Sequence, residues 1–145
     1  LSLGASLSKH TSYFDPMISV CTPFGIKIGP VFTSLGYEAS KFSFEAPVEI
    51  DTLNSYFGSV SGAVLFFDIS KIIKIGGEKF GKYFMVGITG SDYGPGFVGG
   101  YDLNMFFGSL PISLSLSSRV NIVTFDGIGT SYWVSVSAGL AIDIR

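Results

Sequence analysis

The feature that most constrains this chain is a strict alternation of residue type with period two. From Tyr132, the residues Tyr132, Val134, Val136, Ala138, Leu140, Ile142 and Ile144 share one face of an extended chain, and Trp133, Ser135, Ser137, Gly139, Ala141, Asp143 and Arg145 share the other. The preceding segment repeats the pattern, with Ile112, Leu114, Leu116, Val120 and Ile122 against Ser113, Ser115, Ser117, Arg119 and Asn121. Leu1, Leu3, Ala5 and Leu7 alternate with Ser2, Gly4, Ser6 and Ser8 in the same way. A helix cannot sort such a sequence into two faces, because its period is 3.6. Gly, at 19 of 145 residues, is at about twice its ordinary share, which argues further against helices.

Turn signals divide the chain into about eight strands, near 1–9, 16–23, 30–44, 57–70, 81–91, 96–107, 111–125 and 130–145. Four polar or Gly-rich loops, Lys9–Asp15, Glu45–Tyr56, Ser91–Gly96 and Asp126–Ser131, fall at one end. Three turns, Phe24–Gly29, the Lys-rich Lys71–Lys82 and Gly108–Pro111, fall at the other. That count is the signature of an eight-stranded antiparallel meander with both termini on the same side. At 145 residues there is room for one core only, so residues 1–145 are expected to form a single β-barrel domain.

Which face looks inward follows from composition. Hydrophobic residues make up 47% of the chain and charged residues 14%, against about 25% charged in an ordinary soluble domain. The non-apolar face is mostly Ser and Gly, too small and too uncharged to make a good solvated surface. It suits the narrow interior of an eight-stranded barrel, which side chains just fill. The expectation is therefore a transmembrane up-and-down barrel with an apolar exterior and a small, polar lumen. Leu114, Leu116, Val134, Val136, Leu140 and Ile142 are then lipid-facing. Glu38, Asp68, Asp102, Arg119 and Asp143 fall on lumen parity and are expected to form a polar network around the guanidinium. Aromatics beside the loops (Tyr13, Phe14, Tyr56, Phe57, Tyr93, Phe97, Phe125, Tyr132, Trp133) and beside the turns (Phe24, Phe80, Tyr83, Phe84, Phe106, Phe107) read as two interfacial girdles.

In these features the chain resembles the small eight-stranded outer-membrane β-barrels of the OmpA/OmpX type, over its whole length. The residues that carry the resemblance are Tyr132 to Arg145 and their neighbouring strand Pro111 to Val123. The family's last strand commonly ends in an aromatic residue, whereas this sequence stops at Arg145. The resemblance implies an outer-membrane address in a Gram-negative type of cell, with membrane lipids and other surface-assembly proteins as partners. It implies no single activity. Leu1–Ser8 lacks the basic start and apolar block of a signal peptide, so the sequence reads as a mature chain after signal removal.

The sequence offers little chemistry. Nine Lys plus Arg against eleven Asp plus Glu exclude the basic footprint of a nucleic-acid binder. One Cys and one His exclude an ordinary zinc cluster, and no cofactor is expected. His10-Thr11-Ser12 has the His-x-Ser spacing of outer-membrane lipid A deacylases but sits in the first loop without their following residues. Gly94-Pro-Gly96 and Gly99-Gly100 precede no helix and are turn and packing glycines, not phosphate cradles. Lys71, Lys74, Lys79 and Lys82 form a basic cluster, either a solvated turn or a contact for anionic headgroups.

A noncatalytic outer-membrane barrel, structural or partner-binding, is the reading these residues favour. Its candidate partner segment is the polar connection carrying Glu45, Glu49 and Asp51. Two alternatives stay open. One is a soluble lipocalin-like or sandwich β domain binding an apolar ligand or partner; the other is an outer-membrane lipid-modifying enzyme anchored on His10.

Overall fold

The computed structural model describes residues 2–8, 11–48, 52–125 and 129–142, with side chains described for 16–42, 58–124 and 129–142. It contains the strands β1 (Ser2–Ser8), β2 (Thr11–Ile28), β3 (Val31–Val48), β4 (Thr52–Asp68), β5 (Phe80–Ser91), β6 (Gly94–Phe106), β7 (Ile112–Phe125) and β8 (Gly129–Ile142), plus one 3-10 turn at Gly77–Lys79. The expected all-β, antiparallel, up-and-down arrangement is what the structure shows. Neighbours in the sheet follow chain order. β1 is also registered against β8, from Ser2↔Ala141 to Leu7↔Val136, which closes the sheet on itself.

Burial alternates along the strands, and contacts between non-neighbouring strands identify the inner side. Arg119 on β7 bonds Glu38 on β3, Trp133 on β8 stacks on Phe42 of β3, and Ser137 on β8 donates to the Met17 sulfur on β2. None of these strand pairs is adjacent in the sheet, so the three contacts cross the interior. Residues of the same parity are buried: Ser113, Ser115, Ser117, Arg119, Asn121 and Val123 on β7, Ser135 and Ser137 on β8, and Ser34, Glu38 and Phe42 on β3. The intervening positions are exposed or, at Ala39 and Ser118, half-buried.

The strands are longer than the sequence suggested, and three connections are correspondingly short. β2 begins at Thr11, not Pro16, so the expected Lys9–Asp15 loop is mostly strand. β2 also runs on to Ile28 through the expected Phe24–Gly29 turn, and the reversal falls at Gly29 and Pro30, with Gly29 at φ 60°. The reason is a bulge. Register passes from Cys21↔Gly36 to Gly25↔Ser34, leaving Thr22, Pro23 and Phe24 opposite Leu35 alone. Pro23 has no N–H to give a ladder, and the Thr22 hydroxyl donates to the Leu35 carbonyl at 2.9 Å in its place.

Of the expected Glu45–Tyr56 connection, residues 45–48 and 52–56 are strand. β3 and β4 stay in register from Glu45↔Ser55 to Val48↔Thr52. Register with β2 ends at Met17↔Ser40 and register with β5 at Val60↔Ser91. From Lys41↔Ser59 outward, β3 and β4 therefore continue as a two-stranded ribbon beyond the rest of the sheet.

Candidate functional site

The interior is built in tiers. Nearest the end where β8 starts, Phe42, Val60 and Val123 are buried together, with Tyr93 and Trp133 packed against them. The Phe42 ring lies 4.8 Å from Trp133 and 6.1 Å from Tyr93, centroid to centroid, in tilted arrangements. This corrects the girdle assignment of Tyr93 and Trp133, which fill the lumen. Trp133 shares parity with Ser135 and Ser137, and that parity outweighs its position at a strand end.

The next tier is electrostatic. Arg119 is 3% exposed and its guanidinium presents two forks. Nε donates to Glu38 Oε1 at 2.8 Å, and Nη2 donates to Glu38 Oε2 at 2.8 Å. Nη1 donates to Asp102 Oδ1 at 2.6 Å, and Nη2 also reaches Asp102 Oδ2 at 3.2 Å. The Ser118 carbonyl accepts from Nη1 at 3.0 Å. Every N–H of the group is thereby directed at an acceptor, which a buried guanidinium requires. Gly100 stands directly across from Arg119, and a Cβ there would lie 2.6 Å from Arg119 Cδ. The missing side chain lets the arginine lie flat along the wall toward Asp102, which is registered with Ser117.

On β4, β5 and β6, Val64, Phe66, Met85 and Val98 pack as a buried apolar cluster. The serines of β7 and β8 line the remaining wall, with Ser115 and Ser117 hydroxyls 3.4 Å apart. The arrangement fills and bridges the lumen. It supplies no nucleophile beside a base, and no group of three His, Cys, Asp or Glu that could hold a metal occurs among the described residues.

The other residues singled out from the sequence fall as follows. Asp68 is not in the triad, although its parity is right. It is the last residue of β4, and its Oδ1 accepts from the Ser70 N–H at 2.9 Å, so it caps the chain reversal. Asp143, Glu49, Asp51 and His10 lie outside the described residues, as does the side chain of Glu45. Leu114, Leu116, Val134, Val136, Leu140 and Ile142 all point outward and are 43–55% exposed. Cys21 is an exposed free thiol near the bulge, 2.9 Å from the Ser34 hydroxyl.

Lys82 lies in the strand expected near 81–91, but at only 2% exposed it is buried and does not join the exposed lysines of the connection. The β4–β5 ladder effectively extends to it, since Ile69 N–H donates to the Lys82 carbonyl at 2.9 Å and Lys82 N–H donates to Ser70 Oγ at 2.8 Å. Its ammonium donates to the Phe80 carbonyl at 3.3 Å. A run rich in Lys and Gly hid this extra rung.

No protein-family model, curated protein or solved structure matches this chain.

Proposed function

We propose that this chain is a noncatalytic transmembrane β-barrel of the outer-membrane kind, with a closed lumen, serving as a structural or partner-binding component of the cell surface. The observation that carries the reading is the inverted distribution of polarity. Among the described residues, 27 large hydrophobic side chains are exposed while eight hydrophobic side chains are buried, and eleven polar or charged side chains are buried. A monomer in water rarely exposes more than a few hundred Å² of contiguous apolar surface. Here the apolar face runs around the sheet: Ile18, Leu35, Leu65, Ile88, Phe97, Leu116 and Val134, on seven strands, are each 41–65% exposed. In a bilayer that face is the stable outcome, and closed backbone pairing is what hydrocarbon demands. Among the described residues no helix is long and apolar enough to cross a membrane, so the reading assigns any crossing to the strands.

The same interior weighs against a lipocalin-like binder, whose cavity must be roomy and apolar. Here a charged triad spans the lumen between β3 and β7. Partner binding then falls to the β3–β4 ribbon and to the other segments at its end.

Two measurements test the proposal. Native protein should fractionate with outer membrane and show a gel mobility that shifts on heating, as compact detergent-resistant barrels do. A chain that remains soluble and folded without detergent or lipid would refute it. Replacing residues 45–56 by a short Gly-Ser turn should leave the barrel folded and abolish association with whatever co-purifies.

A further inference from the structure

The connection from β4 to β5 carries charge that neither the lumen nor the ribbon uses. It is a built structure. Asp68 caps Ser70, the Ile72 and Ile73 N–H groups both donate to the Ile69 carbonyl at 3.0 and 2.9 Å, and Gly77 N–H donates to the Lys74 carbonyl at 3.3 Å. Gly76 and Gly77, at φ 78° and 70°, then turn the chain into the 3-10 segment.

This frame displays Lys71, Lys74 and Lys79, all exposed, with Glu78 the one exposed acid among them. Between them Ile72 and Ile75 are 55% and 79% exposed. The two ion pairs of the described residues both belong to Arg119, so these lysines are not matched by carboxylates there. Just inside the connection, outward-facing Phe67 and Phe84 are registered together with ring centroids 6.3 Å apart. Aromatic rings on the outer wall of a spanning barrel favour headgroup depth. The adjoining lysines then stand at the level of lipid phosphates, with the isoleucines beside the acyl boundary.

We propose that Lys71, Lys74 and Lys79, with Ile72 and Ile75, form a docking surface for anionic phospholipid headgroups. This rests on the transmembrane reading above. Lysines near an anionic surface each strengthen attachment by about fivefold, so three give on the order of a hundredfold.

The test is refolding of the full chain into phosphatidylcholine vesicles with and without about one third phosphatidylglycerol, reading apparent lipid affinity from the heat-shifted gel band. The expected result is a preference for the anionic vesicles on the order of a hundredfold, largely lost in K71Q/K74Q/K79Q, retained when the same lysines become Arg, and suppressed for the unaltered protein near 1 M salt. Equal affinity for the two vesicles, or an undiminished preference in the Gln variant, overturns the proposal and leaves the lysines to a soluble acidic partner. If the Gln variant does not fold, the salt titration of the unaltered protein decides. A chain that folds into neither vesicle overturns the membrane reading itself, a result distinct from folding equally into both.

Discussion

Replacing Arg119 by Met tests the interior most directly. The substitution preserves length and removes both ion pairs, the 2.8 Å contact to Glu38 and the 2.6 Å contact to Asp102. Their side chains are only 6% and 11% exposed, so each carboxylate is left with little water. Breaking a buried pair in this way costs about 3–5 kcal/mol. That is roughly a hundredfold to several thousandfold in the ratio of folded to unfolded protein. Glu38→Gln should cost less, about 1–2 kcal/mol, because the arginine keeps Asp102 and can still donate to a neutral amide. The combination R119M/E38L/D102L leaves neither a charge nor an amide to strand and should recover most of the loss, since buried ion pairs exchanged for well-packed hydrophobic residues of similar volume are often near neutral in cost. The assay is urea titration of the barrel in lipid vesicles, followed by Trp133 fluorescence, which reports on the ring stacked against Phe42 within the same interior. A loss below about 1 kcal/mol for R119M, or a triple variant no more stable than R119M alone, would refute the argument that the triad is one coupled unit.

Three further outcomes are expected. Val136→Arg, on an outward position 46% exposed, should cost about 2–4 kcal/mol if it lies near the bilayer midplane, measured by the same titration; an unchanged midpoint would remove Val136 from lipid depth. Gly100→Ala should cost about 1–3 kcal/mol, because a Cβ there would crowd the Ser118 carbonyl oxygen as well as Arg119 Cδ, and should keep most of that cost in an R119M background, which a double-mutant cycle reads; a cost that vanishes with the arginine would show that the backbone gives way freely. Trp133→Ala should cost about 3–5 kcal/mol by opening the aromatic tier, whereas Tyr132→Ala, 79% exposed on the outer wall, should leave that tier intact; equal losses would contradict the lumen placement of Trp133.

The interior was most legible where alternation was cleanest. Ser113, Ser115, Ser117, Arg119 and Asn121 on β7, with Ser135 and Ser137 on β8, occupy inner positions because parity leaves no choice once the intervening residues are apolar. The grouping of Arg119 with Glu38 and Asp102 followed from the same rule, but parity carries no information about height along the barrel. Asp68 therefore looked equivalent to Asp102 while standing at the strand end. β2 was illegible because three residues bulge opposite one at Leu35, which disrupts the alternation between Cys21 and Gly25. The burial of Lys82 was hidden by its grouping with the exposed lysines of the connection, although backbone bonding to Ile69 and Ser70 continues the ladder to it. In Trp133, a statistical preference of aromatics for interfaces competed with parity, and parity prevailed.

The β3–β4 ribbon divides the molecule into two units of different cooperativity. Beyond Phe42 its residues are registered only with one another, from Ser43↔Phe57 to Val48↔Thr52, and not with a third strand. Isolated two-stranded hairpins are marginally stable at best. The stretch registered from Ser43↔Phe57 to Val48↔Thr52 should therefore open and close many times for each global unfolding event, exchanging its amide hydrogens in a fast local regime while strands β5 to β7 exchange slowly. Lengthening it, shortening it or rewriting its sequence should alter recognition with little change in the free energy of the barrel, so this segment is where related chains can diverge most freely.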